Sequence, residues 1–283
     1  MKNIWTLARM TFREAIRRRI VLTGVVLGLV FLVVFSVGFH FVYASAFAEA
    51  PTAEEALNNL MMNEAINMLM LAGLYAVTFL SAALGALLGA DTLSGEIISG
   101  TIQTVVSKPI RRSAVVLGKW LGFAILLAGY PFLMSGATVL SVKMISGYTP
   151  HNVLPGITLI YFEALLIMTI SLACSSFLSG LATGSVVFGL YGLSFIGGWV
   201  EQIGSILQNE TAVQVGIVTS LFIPSESLWR RAAFEMQSPI SAAIGMSPFG
   251  TVSVPSPLMI GYAIFYLVIV LMMAVSIFNH RDL

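Results

Sequence analysis

One cysteine, Cys174, stands alone in 283 residues, which excludes a disulfide scaffold and any multi-thiolate metal site. Charge is nearly as scarce, at 10% of the chain against 58% hydrophobic residues. With a mean hydropathy of +0.94, there are too few polar side chains to cover a water-soluble globule of this size, so the solvent is lipid. No Gly-x-x-x-x-Gly-Lys-Ser/Thr phosphate loop occurs. ATP is therefore not bound in that way, and energy must come from a partner or an ion gradient. Deep intramembrane charges are few and no inverted repeat of broken spans is visible, which disfavours a gradient-driven carrier. An embedded hydrolase would need a clustered Ser/His/Asp, a paired Asp or a His-x-x-x-His arrangement at membrane depth, and none is present. The stretch Lys2 to Arg19 is too long and amphipathic for the n-region of a cleavable signal.

What is there is a series of long apolar runs. Backbone groups in a ~30 Å hydrocarbon core must satisfy one another, so each crossing needs about 20 apolar residues in a helix. Runs of that length fall at about 20–48, 65–90, 114–142, 157–178, 180–200 and 257–279. The fourth and fifth share one long stretch broken at Ser175, Ser176, Ser179 and Gly180; the sixth is entered through Pro255 and Pro257. The expectation is an all-α polytopic membrane protein in one permease domain, with six spans, an interfacial helix at about 3–19, an inner loop at 91–113 and an outer region at 201–256.

Lys and Arg orient the spans. With the N-terminus inside, Lys2, Arg9, Arg13, Arg17, Arg18, Arg19, Lys108, Arg111, Arg112, Lys119 and Arg281 are cytoplasmic, eleven of the 14, leaving Lys143, Arg230 and Arg231 outside. Outer segments collect the acids Glu49, Glu54, Glu55, Glu64, Glu201, Glu210, Glu226 and Glu235. Both termini are therefore expected in the cytoplasm, at the inner membrane.

At 100° per residue Ile4, Trp5, Ala8, Phe12, Ala15 and Ile16 share one face of the first helix, opposite Lys2, Arg9, Arg13 and Arg17. Such a helix lies along anionic headgroups or offers its basic face to a partner protein. Between spans two and three, Asp91 or Ser94 caps a short helix that Pro109 ends. Glu96, Gly100, Gln103 and Ser107 fall on one side, with Ile97, Ile98, Thr101 and Val105 on the other. That apolar face packs on this chain's own helix ends or docks into a groove on a soluble partner.

The pattern Glu96-Ile-Ile-Ser-Gly-Thr-Ile, then Ser107-Lys-Pro-Ile-Arg-Arg, then Leu117-Gly-Lys-Trp resembles the signature of ABC-2 transporter permeases. The opening Trp5-Thr-Leu-Ala-Arg-Met-Thr-Phe-Arg-Glu-Ala-Ile-Arg-Arg-Arg and the stretch Ile223-Pro-Ser-Glu-Ser-Leu-Trp-Arg-Arg-Ala are similar to the family as well. The resemblance runs over nearly the whole chain. It extends to the permeases found beside nitrous-oxide-reductase maturation genes, and to drug and ion exporters. It implies a type V exporter-like fold and a dimer of six-span subunits, identical or closely paralogous, each gripping a cytoplasmic ATPase subunit that holds ATP and Mg. It further implies a coupling helix at Gly95, Glu96, Ile97, Gly100 and Thr101, with Arg9, Arg13, Arg17, Arg111, Arg112 and Lys119 anchored at the inner headgroups. A second, smaller contact is implied at the turn from Ser175 to Gly180. No cofactor, metal or nucleic acid is expected in this chain. The alternative is a membrane scaffold that recruits a soluble protein other than an ATPase.

Several residues carry two readings. Glu163, beside Tyr161 and Phe162, is an aromatic-belt acid near the outer surface or a functional intramembrane acid. Met61, Met62, Met68 and Met70 are flexible apolar filler or soft ligands for Cu(I). Gly24 and Gly28, Gly85 and Gly89, and Gly180 and Gly184 permit close helix approach, at a subunit interface or inside one bundle. Thr52 with Glu55 forms a capping box. Glu226 with Arg230 and Arg231 with Glu235 make i,i+4 pairs on a helix whose Leu228, Trp229 and Ala232 face is expected to rest on the outer membrane surface.

Overall fold

The computed structural model describes residues 2–47, 55–90, 92–95, 111–238 and 253–280. The described regular elements are helices: α1 Lys2–Ile16, α2 Arg19–Phe47, α3 Glu55–Ala90, α4 Arg112–Ser146, α5 Val153–Ser175, α6 Gly180–Ile206, α7 Glu210–Phe222, α8 Ser225–Met236 and α9 Pro257–His280. Six of them, α2 to α6 and α9, are long and apolar enough to cross a membrane, with candidate spans of 23 to 35 residues. At about 1.5 Å per residue even the shortest exceeds the ~30 Å core. Local chemistry sets the ends. Gly147, in the left-handed region at φ 74°, closes α4 by donating its N–H to the Lys143 carbonyl. The Asn209 side chain accepts from the Ala212 N–H at the start of α7, and Pro257 opens α9.

Enclosure differs sharply among the spans. The most apolar window of α5 is 78% buried, that of α2 only 6%, so α5 is the axis of the bundle and α2 stands at its rim. Contact between α3 and α5 is close because Gly85 and Gly89 carry no Cβ: one added at Gly85 would lie 2.7 Å from the Ala164 carbonyl oxygen, and one at Gly89 would lie 2.6 Å from Ser171 Cβ. Ser171 Oγ uses that approach to donate to the Ala86 carbonyl at 2.6 Å. This glycine pair thus serves packing within one chain. Gly24 and Gly28 likewise face Leu84, Tyr130 and Met134, whereas Gly184 meets nothing within 4 Å. On α2 a ladder of Phe31, Phe35, Phe39 and Tyr43 stacks at one-turn spacing, while Val25, Leu29, Val33 and Val37 stay exposed as an apolar face. Met70 is buried in the second apolar cluster and Met62 packs against it, as filler does.

The six spans alternate direction, so the start of α2 and the end of α9 lie at one end of the bundle. α1 is at that end and does not lie free. It crosses α4 where Gly118 and Gly122 leave room: a Cβ at Gly118 would sit 2.6 Å from Leu7 Cβ, and one at Gly122 would sit 2.6 Å from the Ala8 carbonyl oxygen. Ala8, Thr11 and Ala15 are buried there, while Trp5 and Ile16 from the expected apolar face remain exposed.

The opposite end differs most from expectation. α7 turns back antiparallel along α6, with Thr219 against Gly197 and Ala212 against Gly204. α8 then lies across the starts of α3 and α5 and is covered on nearly every side. Leu228, Trp229 and Ala232 do not rest on a membrane surface; they are within 2% of full burial, in the clusters that α3, α4 and α5 complete.

Candidate functional site

At the α1 end, the short segment after α3 is fixed before it leaves the described region. Leu93 is fully buried among Val115, Val116, Leu172, Ala274 and Phe278. Ser94 Oγ donates to the Ala90 carbonyl at 3.1 Å. Lys119 Nζ, on α4, donates to the Thr92 carbonyl at 3.2 Å. Lys119 is therefore not a headgroup anchor. It is buried, and its ammonium donates to the Thr92 carbonyl just beyond the end of α3. Arg112 Nη1 donates to the Asn279 carbonyl at 3.2 Å and so ties α4 to the end of α9.

The other residues expected to act at this end divide. Arg9, Arg13, Arg17 and Arg111 are exposed, and Gly95 is half-buried. Glu96, Ile97, Gly100 and Thr101 lie outside the described residues, as do Thr52 and the side chains of Glu55 and Met61. The described segments 92–95 and 111 bracket residues 96–110 at the end where α1 docks. A further tie at that end is the Ser175–Gly180 turn, where the Ser176 and Phe177 N–H groups donate to the Ala173 and Cys174 carbonyls.

The second constellation is buried between α3, α5, α6 and α8, and local spacing gave little sign of it. Arg230 does not pair with Glu226, its i,i+4 neighbour. It meets Glu201 of α6, with Nη1 2.6 Å from Oε1 and Nη2 donating to Oε2 at 2.8 Å, both side chains within about 5% of full burial. Ser253 Oγ also donates to Glu201, at 2.8 Å. Glu226 is turned to α3, where the Tyr75 hydroxyl donates to it at 3.1 Å and accepts from Trp199 Nε1 at 3.3 Å. The carboxylate reaches that position past Gly198, whose missing Cβ would lie 2.1 Å from Glu226 Cγ. Burial pushes the Glu226 carboxyl up to about 7; Arg230 and the Tyr75 hydroxyl pull it down, and Glu201 raises it. The expected Arg231–Glu235 pair is present at 2.7 Å.

Glu163 is not an aromatic-belt acid. It is fully buried on α5. The Tyr191 hydroxyl is the hydrogen-bonding group beside it, and the charge of Glu226 acts on it across the interior. Its position as the lone acid of a long apolar run was the signal available in the sequence; its enclosure depends on three other helices. Among the described residues no group of three or more His, Cys, Asp or Glu could hold a metal ion.

A search against curated proteins found no significant match. The model of the ABC-2 family transporter proteins matches residues 5–283, which takes in α1, all six candidate spans, and the α7 and α8 helices between the fifth and sixth. The chain therefore belongs to the ABC-2 family and is a multi-pass transmembrane subunit of an ABC transporter.

Proposed function

We propose that this permease exports its substrate across the cytoplasmic membrane while a separate cytoplasmic ATPase subunit hydrolyses ATP, and that it works as a dimer of six-span subunits. The observation that carries this reading is the family match over residues 5–283 in a chain without a phosphate loop. Both termini are assigned to the cytoplasm because eleven of the 14 Lys and Arg residues then lie inside.

Residues Gly95, Glu96, Ile97, Gly100 and Thr101 are assigned to the coupling helix. What supports this is where the segment is rooted. It leaves from the buried Thr92–Ser94 anchor and returns at exposed Arg111, with Lys119 bonded across the root. Motion of the ATPase at this segment would then be passed to α3, α4 and α9 through that root. Only contacts that differ between the two conformations bias an equilibrium, so this rooted segment is where ATPase closure has to act.

The experiment is reconstitution with the ATPase subunit in proteoliposomes. Glu96→Arg should insert and fold as the parent does, yet lose stimulation of ATP hydrolysis. Unchanged stimulation, or co-purification with a soluble partner that lacks a phosphate loop, overturns the assignment.

A further inference from the structure

The buried guanidinium of Arg230 has a donor left over. Nη1 and Nη2 are spent on Glu201, and Nη2 also reaches Ser220 Oγ at 3.3 Å, but Nε has no acceptor among the described residues. A guanidinium carries its N–H donors in a fixed fork, and a buried donor without an acceptor is costly. Arg230 also lines a cavity of about 440 Å³ between α6, α7, α8 and α9, within the range of about 300–1,000 Å³ typical of small-molecule sites. The orphaned donor and the open space belong to the same residue.

The cavity is graded from apolar to polar. Its floor is Glu201, Ser220, Ser227 and Arg230, none more than 4% exposed. Its rim is Ile217 and Leu221 of α7, Val254, and Leu258 of α9, from 40% to 83% exposed. Gly216 lets α7 press on α6 at this level: a Cβ there would lie 2.2 Å from Glu201 Cβ. The Tyr262 hydroxyl donates to the Leu221 carbonyl and so ties the start of α9 to the end of α7. Thr219 lies against Gly197, inside the α6 span, which places this part of α7 within the membrane. Val218 and Phe222 continue its exposed apolar surface, so the mouth opens toward hydrocarbon. A molecule entering from lipid meets the apolar rim first and the polar floor last.

We propose that this cavity binds an uncharged, hydrocarbon-tailed amphiphile drawn from the lipid phase, its head accepting hydrogen bonds at the Arg230 floor and its tail lying across Ile217, Leu221 and Leu258. The charges select the head. Glu201 already matches the guanidinium and Glu226 stands one helical turn away, so an anionic head would bring a buried negative charge with no counter-charge. A cationic head would be turned toward N–H donors. An ester, amide or hydroxyl oxygen satisfies Nε without either penalty. Ser220, whose oxygen accepts from Arg230, keeps its hydroxyl proton to donate to the same head. Glu201 asks nothing more of a ligand, since Ser253 Oγ donates to it at 2.8 Å.

The test uses purified permease in lipid nanodiscs without any ATPase, so its failure is separable from failure of the coupling assignment. The probe is a monoacylglycerol with a diazirine in its acyl chain. Its labelling should saturate, fall on residues 217–222 and 254–262, and be displaced by unlabelled monoolein. Glycerol, which lacks the tail, and oleate, whose head is anionic, should displace it at least about tenfold more weakly. Ile217→Trp fills the exposed mouth without touching the floor and should abolish the saturable labelling. Arg230→Lys keeps the charge that Glu201 needs but loses Nε, and should weaken binding about tenfold. If that variant does not accumulate, Ser220→Ala takes its place with weaker binding again expected. Labelling that does not saturate or that spreads over α2, equal displacement by glycerol or oleate, or unchanged binding in the substituted proteins overturns the proposal.

Discussion

Arg230 and Glu201 face one another through two contacts, at 2.6 and 2.8 Å, although α8 and α6 bring them from 29 positions apart in the chain. Removing one partner of a buried pair strands the other, at about 3–5 kcal/mol. The two removals are not equal here. Glu201→Gln leaves Arg230 one turn from Glu226, whereas Arg230→Met leaves Glu163, Glu201 and Glu226 without a counter-charge. Both should lower the thermal midpoint in nanodiscs, Arg230→Met by clearly more. Equal losses would show that Glu226 does not share the guanidinium.

Substitutions at glycines should separate by what lies over each. Gly→Ala in a helix interior stabilises by roughly 0.5–1 kcal/mol where space allows. Gly184→Ala, with nothing within 4 Å, should be neutral or stabilising. Gly85→Ala and Gly122→Ala place a Cβ 2.7 and 2.6 Å from backbone carbonyl oxygens of a neighbouring helix, which cannot rotate away. Each should cost about 1–3 kcal/mol of overpacking. For Gly122→Ala, protease cleavage within α1 should also become faster, since α1 is then pushed off α4.

Tyr75→Phe removes the hydroxyl that donates to Glu226. That bond favours the ionised carboxylate, so its loss lets the Glu226 carboxyl rise further above about 7. The stability that Glu226 loses on ionising should therefore be lost at a higher pH, read as an alkaline displacement of the thermal midpoint's pH dependence. A displacement toward acid would refute the assigned direction of the bond.

Lys119→Met keeps the apolar stem and deletes the ammonium that Thr92 accepts from. A hydrogen bond to a charged group is worth about 1.5–3 kcal/mol. The destabilisation should stay local, with faster amide exchange in residues 92–95 and little change in α7 or α8. Uniform acceleration through the bundle would mean that Lys119 acts on global packing instead.

The six spans could be read from sequence because lipid imposes a length and an apolarity that few other structures need, and Ile20 onward or Pro257 onward can satisfy it in only one way. The α8 region misled for a physical reason. Leu228, Trp229 and Ala232 on one side and Arg230 and Arg231 on the other have the spacing of an interfacial helix. Only Glu201, far off in sequence, makes burying Arg230 tolerable. Glu163 kept aromatic neighbours that suit a membrane surface, and its enclosure by α3, α6 and α8 has no local signature. The Gly118-Lys119 step is visible in the sequence as a pattern. Its reasons, a crossing by α1 and a bond to Thr92, lie in segments far from it along the chain.

Ser194, midway along α6, donates to the Ile223 carbonyl at 2.9 Å and accepts from Ser225 Oγ at 2.9 Å, right where α7 gives way to α8. Since α7 is also pressed flat on α6 at Gly197 and Gly204, those two helices and the root of the third behave as one stiff lever with no slack joint between them. Tilting α6 would drag the start of α8 along, so a small swing of a lipid-facing span becomes a direct pull on a helix that is otherwise sealed in the interior.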